Sequence, residues 1–199
     1  MRIKTLYFFL LFLFFLPLSL LFSAEKTNIT KHGDKDAKII VKVFSSLTCP
    51  HCANFHKKIF KKLDKDFINK KIVRFEHHGF PLDLAALNAE KVLNCFTDNK
   101  KKLNFLNEIY EKQAVWASGS DINSINSNLI KIGKNHGLNN DRILNCLNDE
   151  KLEEQILNER IMSNKKYSIE STPTIFVNEK KYEGKHNYKE FKKIIEKLL

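Results

Sequence analysis

Two cysteines separated by two residues are the feature of this sequence most able to do chemistry. The segment reads Cys49-Pro50-His51-Cys52, and two thiols at this spacing can form a disulfide. Pro50 suits the first position of a helix, where its missing N–H costs nothing. Cys49 is then predicted to lie at a helix N-terminus, where unpaired N–H groups and the helix dipole stabilise a thiolate. We therefore predict a lowered pKa for Cys49, with His51 able to add a hydrogen bond or a positive charge beside the sulfur.

The spacing also gives the two sulfurs different roles. Cys49 is the predicted nucleophile, and Cys52, one turn into the helix, is predicted to be more enclosed and to resolve the reaction. A stabilised thiolate is a good leaving group, so a disulfide that contains it is easily attacked and passes its oxidation to another protein. Structural zinc would need two further ligands, and haem attachment would need His where Ala53 stands. We predict no metal and no other cofactor, because the redox centre is the Cys49-Cys52 pair itself.

Hydrophobic periodicity predicts the elements that position this pair. A β-branched apolar run at 38–44 leads into Cys49 and is typical of a central strand covered on both faces. Apolar residues then recur at three- and four-residue spacing to about residue 66, which indicates a helix. The later predicted elements are a strand at 71–80, helices at 84–96, 103–113, 122–134 and 141 to about 166, short strands at 174–177 and 180–183, and a C-terminal helix. Asp121 and Asp141 are predicted N-caps.

The N-terminus has the layout of an export signal. A basic start precedes an uninterrupted apolar run at 6–16, and the small residues Ser23 and Ala24 follow. We predict a signal peptide at 1–24. An uncleaved membrane anchor is the alternative, because the apolar stretch is longer than usual. In either case the remainder of the chain is predicted to work outside the cytosol, where disulfides persist.

Composition limits the other function classes. The chain has 199 residues, of which 43% are hydrophobic, and carries a net charge of +11. It has enough apolar material for a core, which excludes disordered and low-complexity classes. Its lysines alternate with apolar residues, as at 57–63, which is typical of a solvated helix face. No motif that reads nucleic acid accompanies the charge, so we predict no nucleic-acid partner.

Three segments together resemble the DsbA-like thiol:disulfide oxidoreductases of the thioredoxin superfamily. They are residues 44–52, which end in the cysteine motif, residues 80–82 (Phe-Pro-Leu), and residues 171–178 (Ser-Thr-Pro-Thr-Ile-Phe-Val-Asn). The resemblance implies an α/β thioredoxin fold over 25–199. It also implies an inserted all-helical subdomain at about 82–168.

The resemblance also implies site residues beyond the motif. In the family, Pro173 would follow a cis peptide bond and lie against the cysteine pair, and Thr172 would contact the sulfur and the substrate backbone. From the residues alone, a trans proline that starts a strand is the alternative. Some members carry a second disulfide in the helical region, which implies a Cys95–Cys146 pair; two reduced core cysteines are the alternative.

One position departs from the family. Many members carry a buried acidic residue six positions before the first cysteine, and Val43 stands there in this chain. Proton uptake by Cys52 must therefore be supported by a group other than the side chain at position 43. No role is assigned to Lys42, Glu76 or His56, and His77 and His78 are predicted to be surface or packing residues.

The predicted function is oxidation of paired thiols in unfolded exported polypeptides in the periplasm, through a mixed disulfide at Cys49. The resemblance implies a quinone-linked, DsbB-like membrane partner that reoxidises the pair. A disulfide isomerase or reductase would use the same residues and is one alternative. A non-enzymatic thioredoxin-fold protein that binds metal or peptide is the other.

Overall fold

A mixed five-stranded sheet forms the centre of the fold. The computed structural model describes residues 29–119 and 121–199, so the predicted signal peptide at 1–24 lies outside the described residues. The strands are β1 (Thr30–His32), β2 (Ile39–Ser45), β3 (Val73–Gly79), β4 (Thr174–Val177) and β5 (Lys180–Lys181). Their order across the sheet is β1-β3-β2-β4-β5. β2 and β3 are parallel, and the other neighbours are antiparallel.

The helices lie on both faces of this sheet. The first, α1, runs over 50–68 and alternates α-helical segments (Pro50–Phe55, Lys61–Leu63) with π-helical ones (His56–Phe60, Asp64–Ile68). Between β3 and β4 follow α2 (Leu84–Asn94), α3 (Asn99–Glu111), α4 (Gln113–Trp116), α5 (Ile122–Asn135), α6 (Asn140–Leu147) and α7 (Glu150–Tyr167), and α8 (Tyr188–Glu196) closes the chain. Within 29–119 and 121–199, no helix is long and apolar enough to cross a membrane.

β2 is buried on both sides, as its apolar sequence predicts. Val41 and Val43 share one core with Phe55 of α1 and Phe191 of α8. Because side chains alternate along a strand, Phe44 points to the opposite face, where it packs with aromatic residues near the end of α7 and in β4. The strand that leads into the cysteine motif is therefore held from both sides.

A second core joins the start of α1 to the helices between β3 and β4. Leu47 and Cys52 belong to the same buried cluster as Leu93 of α2, Tyr110 of α3 and Trp116 of α4. The Trp116 indole donates a hydrogen bond of 2.8 Å from Nε1 to a backbone carbonyl of α3, so its buried N–H is satisfied. The cysteine motif therefore lies where the sheet core and the helical core meet.

Three details differ from the sequence-based expectations. β1 was not predicted; it pairs with β3 at the edge of the sheet. The single helix predicted from 141 to about 166 is two helices, because the side chain of Asp149 accepts a hydrogen bond from the Leu152 N–H and starts α7 anew. Asp121 does cap α5 as predicted, but Asn139 rather than Asp141 caps α6.

A disulfide ties together two of these helices. Cys95 directly follows α2, and it is bonded to Cys146 of α6, 51 residues further along the chain. Their Cα atoms are 6.0 Å apart. The guanidinium of Arg142 donates hydrogen bonds of 2.7 and 3.2 Å to the carbonyl oxygen of Cys95. The disulfide and the hydrogen bonds of Arg142 therefore fix α6 against the end of α2.

Removing this disulfide should destabilise the fold without touching the cysteine motif. A C95A/C146A variant frees a loop of 51 residues in the unfolded chain, which the chain-entropy treatment converts to a loss of roughly 4 kcal/mol in the free energy of unfolding. Urea unfolding of this variant and its parent checks the value. Both proteins should carry C49S/C52S, so that only one disulfide differs. An unchanged free energy of unfolding would contradict the prediction.

Candidate active site

The cysteine motif forms the start of α1 as its sequence predicts. Cys49 is the N-cap residue, with φ −74° and ψ 120°, and Pro50 occupies the first turn. The carbonyl oxygen of Cys49 accepts the Ala53 N–H at 3.1 Å. Both Cys49 and Cys52 are free thiols, but Cys49 is only partly buried while Cys52 is 1% exposed. An attacking group from solvent can therefore reach Cys49 and not Cys52.

The surroundings of the two sulfurs move their pKa values apart. A hydrogen bond from the Cys52 side chain is the largest cause that lowers the pKa of Cys49, from 9.0 to about 5. Thr172 and the backbone N–H groups of Cys52 and His51 lower it further, against the opposing effect of partial burial. Burial, followed by the nearby Cys49, raises the pKa of Cys52 far above its ordinary range. The reduced pair therefore holds its proton on the inner sulfur and its charge on the outer one.

A loop distant in sequence lies against Cys49. The Thr172–Pro173 peptide bond is cis, and the Cys49 sulfur lies 3.3 Å from the Thr172 carbonyl oxygen. The Thr172 hydroxyl oxygen is buried at this contact, and the Thr172 side chain is one of the groups that lower the pKa of Cys49. Thr174, the first residue of β4, bonds through its hydroxyl to the carbonyl of Ser171 at 2.6 Å and so fastens the turn. The structure thus brings Thr172 and Pro173 to the cysteine pair.

Two side chains from the helical region hold the loop between β2 and α1. The buried amide of Gln113, at the start of α4, donates hydrogen bonds to the carbonyls of Leu47 at 2.7 Å and Cys49 at 3.1 Å. Thr48 donates from its hydroxyl to the carboxylate of Asp83 at 2.7 Å, and Asp83 also caps α2. Sequence reasoning missed Gln113, because an isolated glutamine has no spacing or neighbours that point to a role.

His51 acts on Cys49 through its backbone. Its backbone N–H is among the groups that lower the pKa of Cys49, and its side chain is exposed. The pKa of His186, in the turn before α8, is lowered by burial first and by the charge of His51 second. The exposed ring of His51 therefore has a second histidine within the range of its charge.

Beneath the pair, the position of the missing acid is apolar. Val43 is buried in β2 and lies opposite His77 of β3. His77 itself is buried and bonds through Nε2 to the carboxylate of Glu90 at 2.8 Å. His56 is also buried, and burial lowers its pKa to about 3, so that it is neutral. Polar groups are therefore present in this core, although none comes from position 43.

The other polar residues to which the sequence assigns no role form ion pairs and hydrogen bonds away from the cysteine pair. Glu76 pairs with Arg74 and His78, and Lys42 pairs with Glu179 and Tyr167 on the face of the sheet opposite to Val43. In the part of the chain that the structure describes, no three His, Cys, Asp or Glu side chains converge in a way that could hold a metal ion.

Sequence comparisons agree with this geometry. The chain matches the Thioredoxin family over residues 25–197. It is 31% identical over 176 residues to disulfide bond formation protein D of Bacillus subtilis, an alignment that covers 84% of this chain and 75% of that protein. It is 30% identical over 146 residues to a Rickettsia typhi protein named as a protein-disulfide oxidoreductase, covering 73% of this chain and 53% of that one. The chain thus spans about half the length of the Rickettsia relatives that it matches.

Solved structures lead to the same family. Wolbachia pipientis α-DsbA1 superposes with a TM-score of 0.78 at 28% identity, over 86% of this chain and 90% of that one. Oxidised BdbD of Bacillus subtilis superposes with a TM-score of 0.72 at 29% identity, over 85% of this chain and 92% of that one. With a cysteine pair at the start of α1 and a cis-proline loop against it, this chain belongs to the DsbA-like thiol:disulfide oxidoreductases of the thioredoxin superfamily.

Proposed function

We propose that this protein donates the Cys49–Cys52 disulfide to exported polypeptides that carry paired thiols. The opposite pKa shifts of the two cysteines are the observation that carries the proposal. A stabilised Cys49 thiolate favours the reduced pair, so the oxidised pair readily gives up its disulfide. The names of the relatives support the same chemistry, since they are disulfide oxidoreductases or disulfide bond formation proteins.

The reaction follows from which sulfur is accessible. A substrate thiolate attacks the sulfur of Cys49, the disulfide bond to Cys52 breaks, and its electron pair goes to Cys52. The second substrate thiolate then attacks the substrate sulfur of the mixed disulfide and releases Cys49 as a thiolate. Two electrons pass to the enzyme. Of the two substrate protons, one ends on Cys52, whose raised pKa retains it, and the other is released.

The loop around the cis-proline is the proposed substrate-binding element. Thr172 lies against Cys49 and is followed by Pro173 through the cis peptide bond. Ser171 is exposed beside them, which leaves backbone available to an extended peptide. We propose that this backbone pairs with the substrate while its thiolate attacks Cys49. Pro50 and His51 complete the motif by starting the helix and by supplying a backbone N–H.

The cellular setting is part of the same proposal. We place the reaction in the periplasm, reached through the predicted signal peptide at 1–24 or with that segment retained as an anchor. A membrane-embedded, quinone-linked reoxidase of the DsbB type would restore the disulfide after each cycle. The Cys49-Cys52 pair is the proposed redox group, and no further cofactor is required for two-electron exchange between thiols.

Substitution of each cysteine should stop the reaction at a different stage. C49S removes the nucleophile, so oxidation of a reduced, unfolded substrate should fall to the uncatalysed rate. C52S keeps the accessible thiol but cannot form the pair, so it should accumulate a mixed disulfide with substrate that non-reducing electrophoresis detects. Measured oxidation by C49S at the parent rate would refute the assignment.

The ionisation of Cys49 should be visible in a pH titration. Thiolate absorbance of the reduced protein should rise with a midpoint near pH 5, and C49S should lack this transition. A pKa that is lowered on folding stabilises the folded, reduced protein. This stabilisation is fully present above pH 9, the ordinary value, and is lost as the pH falls through 5. The unfolding free energy of the reduced form relative to the oxidised form should therefore increase with pH between these values. A midpoint near 9 would contradict the assignment.

The equilibrium with glutathione separates disulfide donation from the reductase alternative. We expect a reduction potential for the Cys49-Cys52 pair well above the roughly −270 mV of thioredoxins, because the Cys49 thiolate stabilises the reduced form. Mixing the oxidised protein with graded ratios of reduced and oxidised glutathione, followed by trapping of free thiols, gives the value. A thioredoxin-like potential would favour a reductase, and tight binding of a metal without turnover would favour a carrier.

A further inference from the structure

The hydroxyl of Tyr110 is buried beside the cysteine pair without a hydrogen-bond partner. Tyr110 lies on α3 and is 1% exposed, and its oxygen is among the buried polar atoms that make no hydrogen bond. Ser45, at the end of β2, faces the hydroxyl without completing a bond. A buried hydroxyl of this kind costs stability that a phenylalanine would not cost. A partner that forms during the reaction would offset this cost.

Packing brings Tyr110 next to the turn of α1 that carries Cys52. Helix α3 contacts the Pro50–Phe55 segment and the His56–Phe60 segment, and Cys52 and Tyr110 belong to one buried cluster. The ring of Tyr110 lies 4.7 Å from that of His56, which follows Cys52 by one helical turn. Cys52 and Tyr110 therefore lie in the same enclosed core, and Cys52 acts electrostatically on the Tyr110 hydroxyl.

The other polar side chains around Tyr110 already have partners. His56 bonds through Nε2 to Asn107 of α3 at 2.6 Å. The ring of His77 lies 6.4 Å from that of Tyr110, and its Nε2 is occupied by Glu90 of α2. These groups, which face Tyr110 from α1, β3 and α2, leave its O–H free to turn toward a charge that forms on Cys52.

We propose that the Tyr110 hydroxyl donates a hydrogen bond to the Cys52 sulfur as that sulfur leaves the disulfide, an inference that rests on the proposed function. When a thiolate attacks Cys49, a new S–S bond forms at Cys49, the old one breaks, and Cys52 receives the electron pair. This charge forms in a buried site, where a donor already in place stabilises it without reorganisation. The Cys52 thiolate later takes the proton that the second substrate thiol loses.

Tyr110 acts here as a hydrogen-bond donor and not as an acid. Burial, followed by the charges of Cys52 and Glu90, raises the pKa of Tyr110 well above its ordinary value of 10. Its proton therefore stays on the oxygen throughout the cycle. A neutral donor supplies to the leaving sulfur the support that a residue at Val43 cannot supply.

The test compares two exchange reactions of the same protein in the Y110F variant. The first is the attack of glutathione on the oxidised pair, in which Cys52 is the leaving group. Loss of a hydrogen bond to a charged sulfur should slow it by about tenfold or more. The second is the attack of glutathione on the Cys49–glutathione mixed disulfide of C52S, in which Cys52 takes no part. Adding Y110F there should leave the rate unchanged.

Controls separate this role from a structural one. Y188F removes a hydroxyl that bonds to Asp66, away from the pair, and should leave the first rate unchanged. Urea unfolding should show Y110F to be at least as stable as its parent, because the deleted hydroxyl makes no bond. A parental rate in Y110F, or equal slowing of both reactions, would overturn the inference. Failure of the unsubstituted pair to exchange with glutathione would instead overturn the proposed function.

Discussion

The chemistry of the cysteine pair depends on a hydrogen bond from the buried Cys52 thiol to the Cys49 thiolate. This interaction is the largest contribution to the lowered pKa of Cys49, and it exists because burial keeps the proton on Cys52. The two sulfurs are chemically identical, so the difference between them is created entirely by their positions. One lies at the N-cap of α1 beside free backbone N–H groups, and the other lies one turn inside a closed core. The different roles proposed for the two sulfurs follow from that asymmetry.

Both cores are needed to maintain this arrangement. The sheet side supplies β2 and the cis-proline loop, which places Thr172 against the outer sulfur. The helical side supplies Gln113, whose amide holds the carbonyls of Leu47 and Cys49, and the α3 surface that encloses Cys52. A C-x-x-C segment at the start of an isolated helix would have the helix dipole but not the burial. The helices between β3 and β4 therefore set the chemistry of the pair as well as covering it.

What could be predicted from the sequence was local. Pro50 marks the helix start, the apolar run at 38–44 marks the buried strand, and the spacing of the cysteines marks the redox pair. The place of Thr172 at the site was predicted from the resemblance to the family. The spacing along the chain could not predict it, since 123 residues separate Thr172 from Cys49. Gln113, Tyr110 and the His77–Glu90 pair could not be found, because their roles arise from contacts between elements. β1 was missed for the same reason, since a three-residue strand is defined by its pairing with β3.

An apolar residue at position 43 is consistent with the lowered pKa of Cys49. A carboxylate buried beneath the pair would repel the Cys49 thiolate and raise its pKa, since like charges disfavour ionisation. The groups that lower the pKa of Cys49 are neutral donors, namely the Cys52 thiol, the Thr172 side chain and backbone N–H groups, and the donor proposed for Cys52, Tyr110, is neutral as well. Glu90, a buried carboxylate of the helical region, is paired with His77. In the proposed cycle, the negative charge of the pair lies on Cys49 in the reduced protein and on Cys52 during the exchange, and neutral dipoles stabilise a thiolate at either position without protonating it.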